Sequence, residues 1–158
     1  MNISYESKQS RVDLTAAVTR GVRRALALRD VATITEFAPA RGLRADVFGV
    51  GPDGEIWIIE VKSSVPDFRA DQKWVGYGEW CDLFFFAVPQ DFPRDELPDG
   101  VGVITADAFG AEIVREANRE PLAPARRKAL TKSFARQAAR RLHRVEDPDF
   151  DPLAVGEN

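Results

Sequence analysis

Two runs of apolar residues separated by a short turn form the clearest pattern in the chain. The first run ends at Val50, the second begins at Ile56, and residues 51–54, Gly-Pro-Asp-Gly, lie between them. Runs rich in Val, Ile, Phe and Trp on either side of such a turn predict a β-hairpin. If Val50 pairs with Ile56, the antiparallel register places Asp46 opposite Glu60, on the same side of the sheet.

The second strand of this hairpin is apolar on both of its faces. Side chains alternate with period two along a strand, so one face carries Ile56, Ile58, Glu60 and Lys62 and the other carries Trp57, Ile59 and Val61. A strand of this kind is predicted to be central in its sheet. Glu60 follows four successive apolar residues and is therefore not expected to be a surface residue.

The remaining apolar patterns predict an α/β fold with a central mixed β-sheet flanked by helices, in the order α-β-β-β-α-β. Strands are expected at residues 32–38, around Asp46 and Glu60, and at residues 83–88, 101–105 and 111–115, with a helix at about residues 66–80. The segment 83–88 is short and almost entirely apolar, which fits a buried parallel strand after a crossover helix.

A first helix is predicted from about Ser10 to Leu28, because apolar residues recur there at helical spacing. Ser10 and Asp13 resemble a capping box at its start. The other side of this helix carries Arg20, Arg23, Arg24 and Arg29. We expect these arginines to form a solvated face, with phosphate contact as the alternative.

The last predicted helix is strongly basic and contains no acidic residue between Ala123 and Val145. Its cations recur at every fourth position and are named here the basic ridge: Lys128, Lys132, Arg136, Arg140 and Arg144. An apolar strip recurs at the same spacing: Leu130, Phe134, Ala138 and Leu142. Like charges four residues apart destabilise a helix slightly, and sequence-independent binding to DNA phosphates would relieve them. The alternative is a solvated amphipathic helix.

Residues 146–158 are rich in Asp, Pro and Glu and are expected to form a disordered acidic tail. The preceding residues 1–145 are predicted to be one domain, since 158 residues with 44% hydrophobic content suit one core and are few for two. The net charge of −3 does not itself indicate a nucleic-acid binder, but the distribution of charge matters more than its sum.

One cysteine and one histidine are present in the whole chain. Internal disulfides, thiolate clusters and most His-based metal or nucleophile schemes are thereby excluded. Without an apolar run of membrane-spanning length or the apolar core of a signal peptide, the chain is expected to be cytoplasmic and not bound to a membrane.

The hairpin acids themselves predict a metal site. Two opposed carboxylates repel each other, more so where water is excluded. A hard divalent cation such as Mg²⁺ compensates, because it prefers oxygen ligands and sits beside phosphate oxygens. Lys62 would then orient a water and stabilise charge on a scissile phosphate. The alternative is a solvated Glu-x-Lys pair near a strand end.

Glu36 lies ten residues before Asp46, again with even parity. An equal antiparallel pairing would bring it beside Asp46, where it could bind a metal-held water or a second ion. We therefore predict Glu36 as an auxiliary acid, with a structural role as the alternative.

The arrangement of Asp46 followed by Glu60-Val61-Lys62 resembles the D…(D/E)xK signature of the PD-(D/E)XK nuclease superfamily. Ala45 stands where that signature usually has proline. The strings at residues 44–46, 60–64, 67–74, 81–82 and 84–89 are similar to the MmcB family of bacterial DNA-repair endonucleases, and the similarity runs from about Ser10 to Arg141.

This resemblance implies a restriction-endonuclease-like core that hydrolyses DNA phosphodiesters in repair. Metal ligands would be Asp46, Glu60 and the carbonyl of Val61, and Lys62 would position the attacking water. Mg²⁺ is the implied cofactor, with Mn²⁺ as a substitute, and the implied partner is damaged or structured DNA. Many nucleases of this fold pair to cut two strands, so the resemblance admits a homodimer, but the sequence carries no decisive interface signal.

The helix after Lys62 is a further candidate, because superfamily members often present a polar side chain from it. Asp67, Gln72 and Lys73 are the polar candidates, and Lys73 joins the basic ridge as a predicted DNA contact. Gln72 and Tyr77 resemble the Gln…Tyr motif of the RecB-like branch, but five residues do not fall on one helical face, so this match is given little weight.

Two other functions stay open at this point. The chain could be a catalytically silent DNA-binding module of the same fold, or an interaction protein that uses the basic helix against an acidic partner. The preferred DNA structure, endo or exo mode, the number of metals and the oligomeric state are not specified by these patterns.

Overall fold

A mixed six-stranded sheet whose spatial order follows the chain order forms the centre of the structure. The computed structural model describes residues 3–150, with side chains from residue 10 onward. The strands are β1 (Ala32–Phe37), β2 (Ala45–Val50), β3 (Ile56–Val61), β4 (Leu83–Val88), β5 (Gly102–Ala106) and β6 (Ala111–Arg115). β3, β4 and β5 are parallel, and the other neighbours are antiparallel.

Helices cover both faces of this sheet. They are α1 (Ile3–Ala27), α2 (Val65–Ala70) and α3 (Pro124–Glu146), with 3₁₀ segments at Lys73–Trp80 and Arg94–Glu96. The predicted α/β class, with a mixed sheet flanked by helices and a basic C-terminal helix, is confirmed.

The predicted hairpin is formed in the expected register. Val50 pairs with Ile56, and Phe48 pairs with Ile58. Gly54 adopts the left-handed conformation with φ 82°, which glycine reaches without steric cost. Its N–H donates to the carbonyl of Gly51 at 3.0 Å and closes the turn.

β3 is buried along its whole length, as its two apolar faces predict. On one face Trp57, Ile59 and Val61 pack in a cluster with Val18, Val22 and Leu26 of α1. On the other, Ile56 and Ile58 share a cluster with Tyr77 and with Leu130 of α3. The sheet is therefore sealed on both sides, and polar groups of β3 must find partners inside the fold.

The predicted start of the first helix is wrong. α1 begins at Ile3, so Ser10 and Asp13 lie within the helix instead of capping it. Ser10 is exposed there. A serine followed three residues later by an acid occurs on a continuous helix surface as readily as at a helix start, so local spacing alone was a weak indication.

The predicted helix at residues 66–80 is two separate elements. α2 ends at Ala70, and a 3₁₀ segment begins at Lys73. Between them Asp71 is extended, with φ −114° and ψ 113°. Its carboxylate accepts hydrogen bonds from the Lys62 side chain and the Lys73 N–H, and these bonds hold the chain in the non-helical bend.

The start of α3 is fixed by a buried ion pair. Both carboxylate oxygens of Asp82 lie 2.6 Å from the guanidinium of Arg127. The same carboxylate accepts from the N–H groups of Ile56 and Leu122. Although burial opposes ionisation, the bonds from Arg127 and these N–H groups lower the pKa of Asp82. Asp82 is thus a structural anchor that joins β3, β4 and α3.

α3 then docks by only part of its predicted apolar strip. Leu130, Phe134 and Ala138 pack on the sheet, whereas Leu142 is 56% exposed. Next to Leu142, Arg141 donates to the carbonyl of Glu36, which lies near the end of β1.

The predicted acidic tail is described only in its first residues. α3 includes Glu146, and the N–H of Asp147 donates to the carbonyl of His143 at 2.8 Å. The ring of Phe150 lies 5.5 Å from that of His143. The remainder of the tail, residues 151–158, lies outside the described residues. Across residues 3–150, no helix combines the length and apolar character that crossing a membrane requires.

Candidate active site

Asp46 and Glu60 are joined by two hydrogen bonds between their carboxylates and the backbone. The N–H of Asp46 donates to Oε1 of Glu60 at 3.1 Å. The N–H of Val61, next to Glu60, donates to Oδ2 of Asp46 at 2.8 Å. Each acid therefore binds the backbone of the strand that carries the other. The predicted register and the predicted meeting of the two acids are both present.

These bonds mark the point where the β2–β3 ladder stops. The last paired residues are Val47 and Ile59, and a regular next hydrogen-bonded rung would join Ala45 to Val61. The carboxylate of Asp46 instead receives the Val61 N–H. Since the N–H and C=O of one strand residue point to the same side, the carbonyl of Val61 also faces β2. The carbonyl predicted as the third metal ligand is therefore on the side of β3 that faces β2.

Burial makes ionisation of the two acids unfavourable. Desolvation, and then the charge of Asp46, raise the pKa of Glu60 to about 8. Desolvation also raises the pKa of Asp46, in spite of the hydrogen bond from Val61 and the positive charge of Lys62. When both carboxylates are ionised, they repel each other and lack full solvation, so a bound proton or cation stabilises the site.

Lys62 is held at this site by an ion pair. Its side chain is only 5% exposed, and its Nζ lies 2.8 Å from Oδ2 of Asp71. That hydrogen bond is the main cause of the lowered pKa of Asp71. The Lys62 N–H donates to the carbonyl of Ala87 on β4. Backbone and side chain are therefore both fixed, and the ammonium is close enough to lower the pKa of Asp46 and Glu60.

The turn between β3 and α2 is fixed by Asp67. Oδ2 of Asp67 accepts from the N–H of Ser63 at 2.9 Å and from its hydroxyl at 3.3 Å. In return the hydroxyl of Ser64 caps α2 by accepting from the Asp67 N–H. The charge of Asp67 also raises the pKa of Asp46. Of the polar residues flagged on this segment, Asp67 reaches the site, whereas Gln72 and Lys73 are exposed.

Glu36 lies at the edge of the site but faces another partner. It falls between the Thr35–Val47 and Phe37–Ala45 pairs, the position opposite Asp46, and its φ of 53° is left-handed. Its Oε2 lies 2.7 Å from Nε of Arg44, and both side chains are largely exposed. Its charge still raises the pKa of Asp46. Glu36 is thus near Asp46, and its auxiliary role stays a prediction.

Tyr77 and Asp71 are the two residues here that sequence reasoning did not select. The Tyr77 hydroxyl donates to the Arg44 carbonyl at 2.8 Å and accepts from the Arg44 N–H at 3.3 Å. This bond holds the chain as it enters β2. Burial, and then the charge of Glu60, raise the pKa of Tyr77. The Gln…Tyr resemblance is the sequence signal that points to Tyr77; the α-helical spacing that argues against it does not apply, because the segment that carries Tyr77 is a 3₁₀ helix.

All five side chains of the basic ridge are exposed on α3. The N-terminal part of the helix lies at the hairpin turn, where Arg127 donates to the Gly54 carbonyl. Its C-terminal part lies at Glu36, beside the carboxylates. The ridge therefore runs along the sheet towards the candidate site.

The donor set fits a cation that takes oxygen ligands and keeps its waters. Oε1 of Glu60 and Oδ2 of Asp46 each accept one backbone hydrogen bond, and the Tyr77 hydroxyl also interacts with the Glu60 carboxylate, so Oδ1 of Asp46 is the oxygen that these contacts leave for a ligand. Within residues 3–150, no cluster of three or more Asp, Glu, His or Cys side chains is arranged to hold a metal. Mg²⁺ is bound through one or two carboxylates plus water and phosphate, so this small donor set suits it.

Comparison with known proteins matches nearly the whole chain. A family model described as "MmcB-like: DNA repair protein MmcB-like" covers residues 2–149. The solved structure of the "SPO1766 protein of unknown function from Silicibacter pomeroyi" is similar, with 53% sequence identity and a TM-score of 0.84. That alignment spans 87% of this chain and 94% of the other. No curated protein is significantly similar to the chain.

Proposed function

The chain belongs to the MmcB-like family of DNA repair proteins, and we propose that it is a metal-dependent DNA endonuclease of the PD-(D/E)XK type. The observation that carries this proposal is the pair of hydrogen bonds that joins Asp46 and Glu60. It brings the buried carboxylate of Glu60 next to the half-buried carboxylate of Asp46, and a divalent cation would compensate their negative charge. Mg²⁺ is the proposed cofactor, with Mn²⁺ as its substitute.

Asp46, Glu60 and the carbonyl of Val61 would hold the cation. When bound, Mg²⁺ supplies Lewis acidity that lowers the pKa of water and offsets negative charge on phosphate oxygens. The protein fixes where this happens, because both carboxylates are tied to backbone N–H groups and cannot swing away. Preorganised ligands of this kind need little rearrangement during the reaction.

Lys62 would act directly on the reacting groups. Its Nζ is buried and held by Asp71, so it can donate a hydrogen bond to the attacking water or to a phosphate oxygen. As negative charge grows on the phosphate, a fixed positive charge stabilises the transition state more than the ground state. Asp71 does not need to touch the substrate for this purpose and is a positioning residue.

The basic ridge would hold the DNA. Its exposed cations form a row on one face of α3, and a row of cations along a helix can neutralise successive phosphates without reading the bases. Lys73 is a further proposed contact. It is exposed beside Asp71, so it lies close to the ion pair of Lys62.

A second candidate is a DNA-binding module of the same fold that does not cut. The observation in its favour is the ion pair between Lys62 and Asp71. The negative charge of Asp71 offsets the positive charge that Lys62 would supply to a reacting phosphate. In that case the ridge would bind DNA, and the carboxylates would serve only to end the β2–β3 ladder.

Cleavage assays separate these candidates. We would incubate the protein with Mg²⁺ or Mn²⁺ and with single-stranded, duplex, flap and junction DNA, alongside Lys62→Ala. The nuclease proposal expects metal-dependent products from at least one substrate and a loss of about 100-fold or more in Lys62→Ala, the size seen when one transition-state donor is removed. Binding of all substrates without products, by both proteins, would favour the non-cutting module.

A further inference from the structure

A long cleft between α1 and β1 opens onto the candidate site. Its volume is about 1320 Å³, which exceeds the roughly 300–1,000 Å³ of a typical small-ligand pocket. One wall is α1, the other is β1, and one end is formed by Glu36, Asp46 and Asp67. The cleft is on the α1 side of the sheet, whereas the basic ridge belongs to α3, which covers the other side.

The cleft combines cations with an apolar lining. Four arginines of α1 line it: Arg11, Arg20, Arg23 and Arg24. Arg23 is held in place by bonds to the hydroxyl and carbonyl of Thr33. Between them lie small apolar side chains, among them Val12, Ala16 and Ala27. Arg20, Arg23 and Arg24 were expected to form a solvated helix face, with phosphate contact as the alternative; they are exposed, and together with Arg11 they line the cleft.

The cleft runs along α1 towards the carboxylates of Glu36, Asp46 and Asp67. After α1 the chain reverses, since the N–H of Val31 donates to the Leu26 carbonyl at 3.0 Å, and β1 runs back along the helix. The N-terminal half of α1 thus lies beside the end of β1 that carries Glu36. From Arg11 to Ala27 the helical wall is about 24 Å long at 1.5 Å per residue. A wall of this length can face several nucleotides of one strand, in keeping with the roughly 4–16 nucleotides that single-strand binding grooves take.

We propose that the α1–β1 cleft binds a single DNA strand and leads it to Asp46, so the preferred substrate contains a single-stranded segment. This inference rests on the proposed nuclease function. Phosphates of the strand pair with the arginines, and its unstacked bases cover the apolar lining. A duplex hides the faces of its bases and offers mainly phosphates, which suits the convex ridge on α3 better.

Charge reversal in the cleft tests the proposal. Binding of a fluorescent oligothymidine would be measured by anisotropy without divalent cations, for wild type and the double variant Arg20→Glu/Arg24→Glu. A matched double variant, Arg29→Glu/Arg94→Glu, reverses two exposed arginines that do not line the cleft. We expect a loss of roughly tenfold or more in single-strand affinity for the cleft variant only. Each phosphate contact that is lost removes the favourable release of a counterion from the DNA. An equal loss in both double variants overturns the proposal.

A crosslinking assay tests location without changing charge. Cys81 is buried, and burial raises the pKa of its thiol to about 12, so an introduced cysteine would be the reactive thiol. Ala16→Cys places it in the cleft, and Phe109→Cys places it on an exposed loop elsewhere. We expect Ala16→Cys to crosslink an activated single-stranded oligonucleotide faster than Phe109→Cys does. Equal rates contradict the cleft as the binding site.

Neither assay depends on cleavage. A protein that binds and crosslinks single strands through the cleft but cuts no DNA would refute the nuclease while supporting the cleft. A protein that cuts DNA but binds single strands equally with and without the cleft arginines would refute the cleft alone.

Discussion

Asp46 and Glu60 each accept a hydrogen bond from the strand that carries the other, at 2.8 and 3.1 Å. The β2–β3 ladder ends at this point, and the two carboxylates take over its hydrogen bonding. The site is therefore built from the way two strands separate, and its acids are held by backbone that the rest of the sheet keeps in place.

The buried Glu60 should make stability depend on pH. Its pKa is raised from 4.5 to about 8 in the folded protein, so its contribution to stability is complete below about pH 4.5 and is lost as pH rises through 8. Without divalent cations, we expect the urea midpoint to fall between pH 5 and pH 8.5. Glu60→Gln should flatten this decline, whereas exposed Glu79→Gln should not. An unchanged slope in Glu60→Gln would show that Glu60 is ionised throughout.

Cation binding should release protons. Below pH 8 Glu60 carries a proton that a divalent cation must displace, so affinity for Mn²⁺ should increase with pH, by up to about tenfold per unit for one proton. Calorimetry in two buffers of different ionisation enthalpy measures the proton count directly. We expect a count near one at pH 7 and none for Glu60→Gln. A count of zero in the wild type would contradict the raised pKa.

Removal of Asp71 should cost more stability than removal of Lys62. Asp71→Asn leaves the nearly buried ammonium of Lys62 without its counter-charge, which typically costs roughly 3–5 kcal/mol at a fully buried pair. Because Asp71 is partly exposed, we expect a value towards or below the lower limit. Lys62→Met removes the charge and leaves a partly exposed carboxylate, so it should cost less. Denaturant unfolding compares the two, and Asp71→Asn/Lys62→Met should recover stability relative to Asp71→Asn. No recovery would contradict this account.

The basic ridge should determine the salt dependence of DNA binding. Arg136→Ala and Arg140→Ala each remove one exposed cation from α3. Each should reduce the slope of log affinity against log salt by about one for duplex DNA. Arg94→Ala, on a 3₁₀ turn away from α3, is the matched control. Slopes that change equally in all three variants would mean that DNA is bound through overall charge and not through the ridge.

Much of the site followed from local regularities of the sequence. The turn at residues 51–54 and the period of two along β3 were sufficient to set the register, and the register brought Asp46 and Glu60 together. The regular spacing of cations likewise predicted the exposed ridge on α3. These features depend on neighbouring residues and on strand geometry, both of which the sequence shows directly.

Other parts depend on contacts between distant segments. Asp71 reaches Lys62 only because the chain bends between α2 and the 3₁₀ segment, a break that apolar spacing did not reveal. The left-handed backbone of Glu36 and its pairing with Arg44 could not be derived from parity. The cleft arises from the packing of α1 beside β1, and the sequence pattern showed its arginines only as a polar helix face.

Single-turnover cleavage of a flap substrate in Mg²⁺ by Asp46→Asn and Asp53→Asn tests the central claim most directly. Both variants replace one carboxylate by an amide, but Asp53 is exposed in the hairpin turn at the far end of β3. We expect Asp53→Asn to cut like the wild type and Asp46→Asn to lose about 100-fold or more in rate while still binding the DNA. Equal rates in the wild type and both variants would contradict the assignment of Asp46 and Glu60 as the metal site.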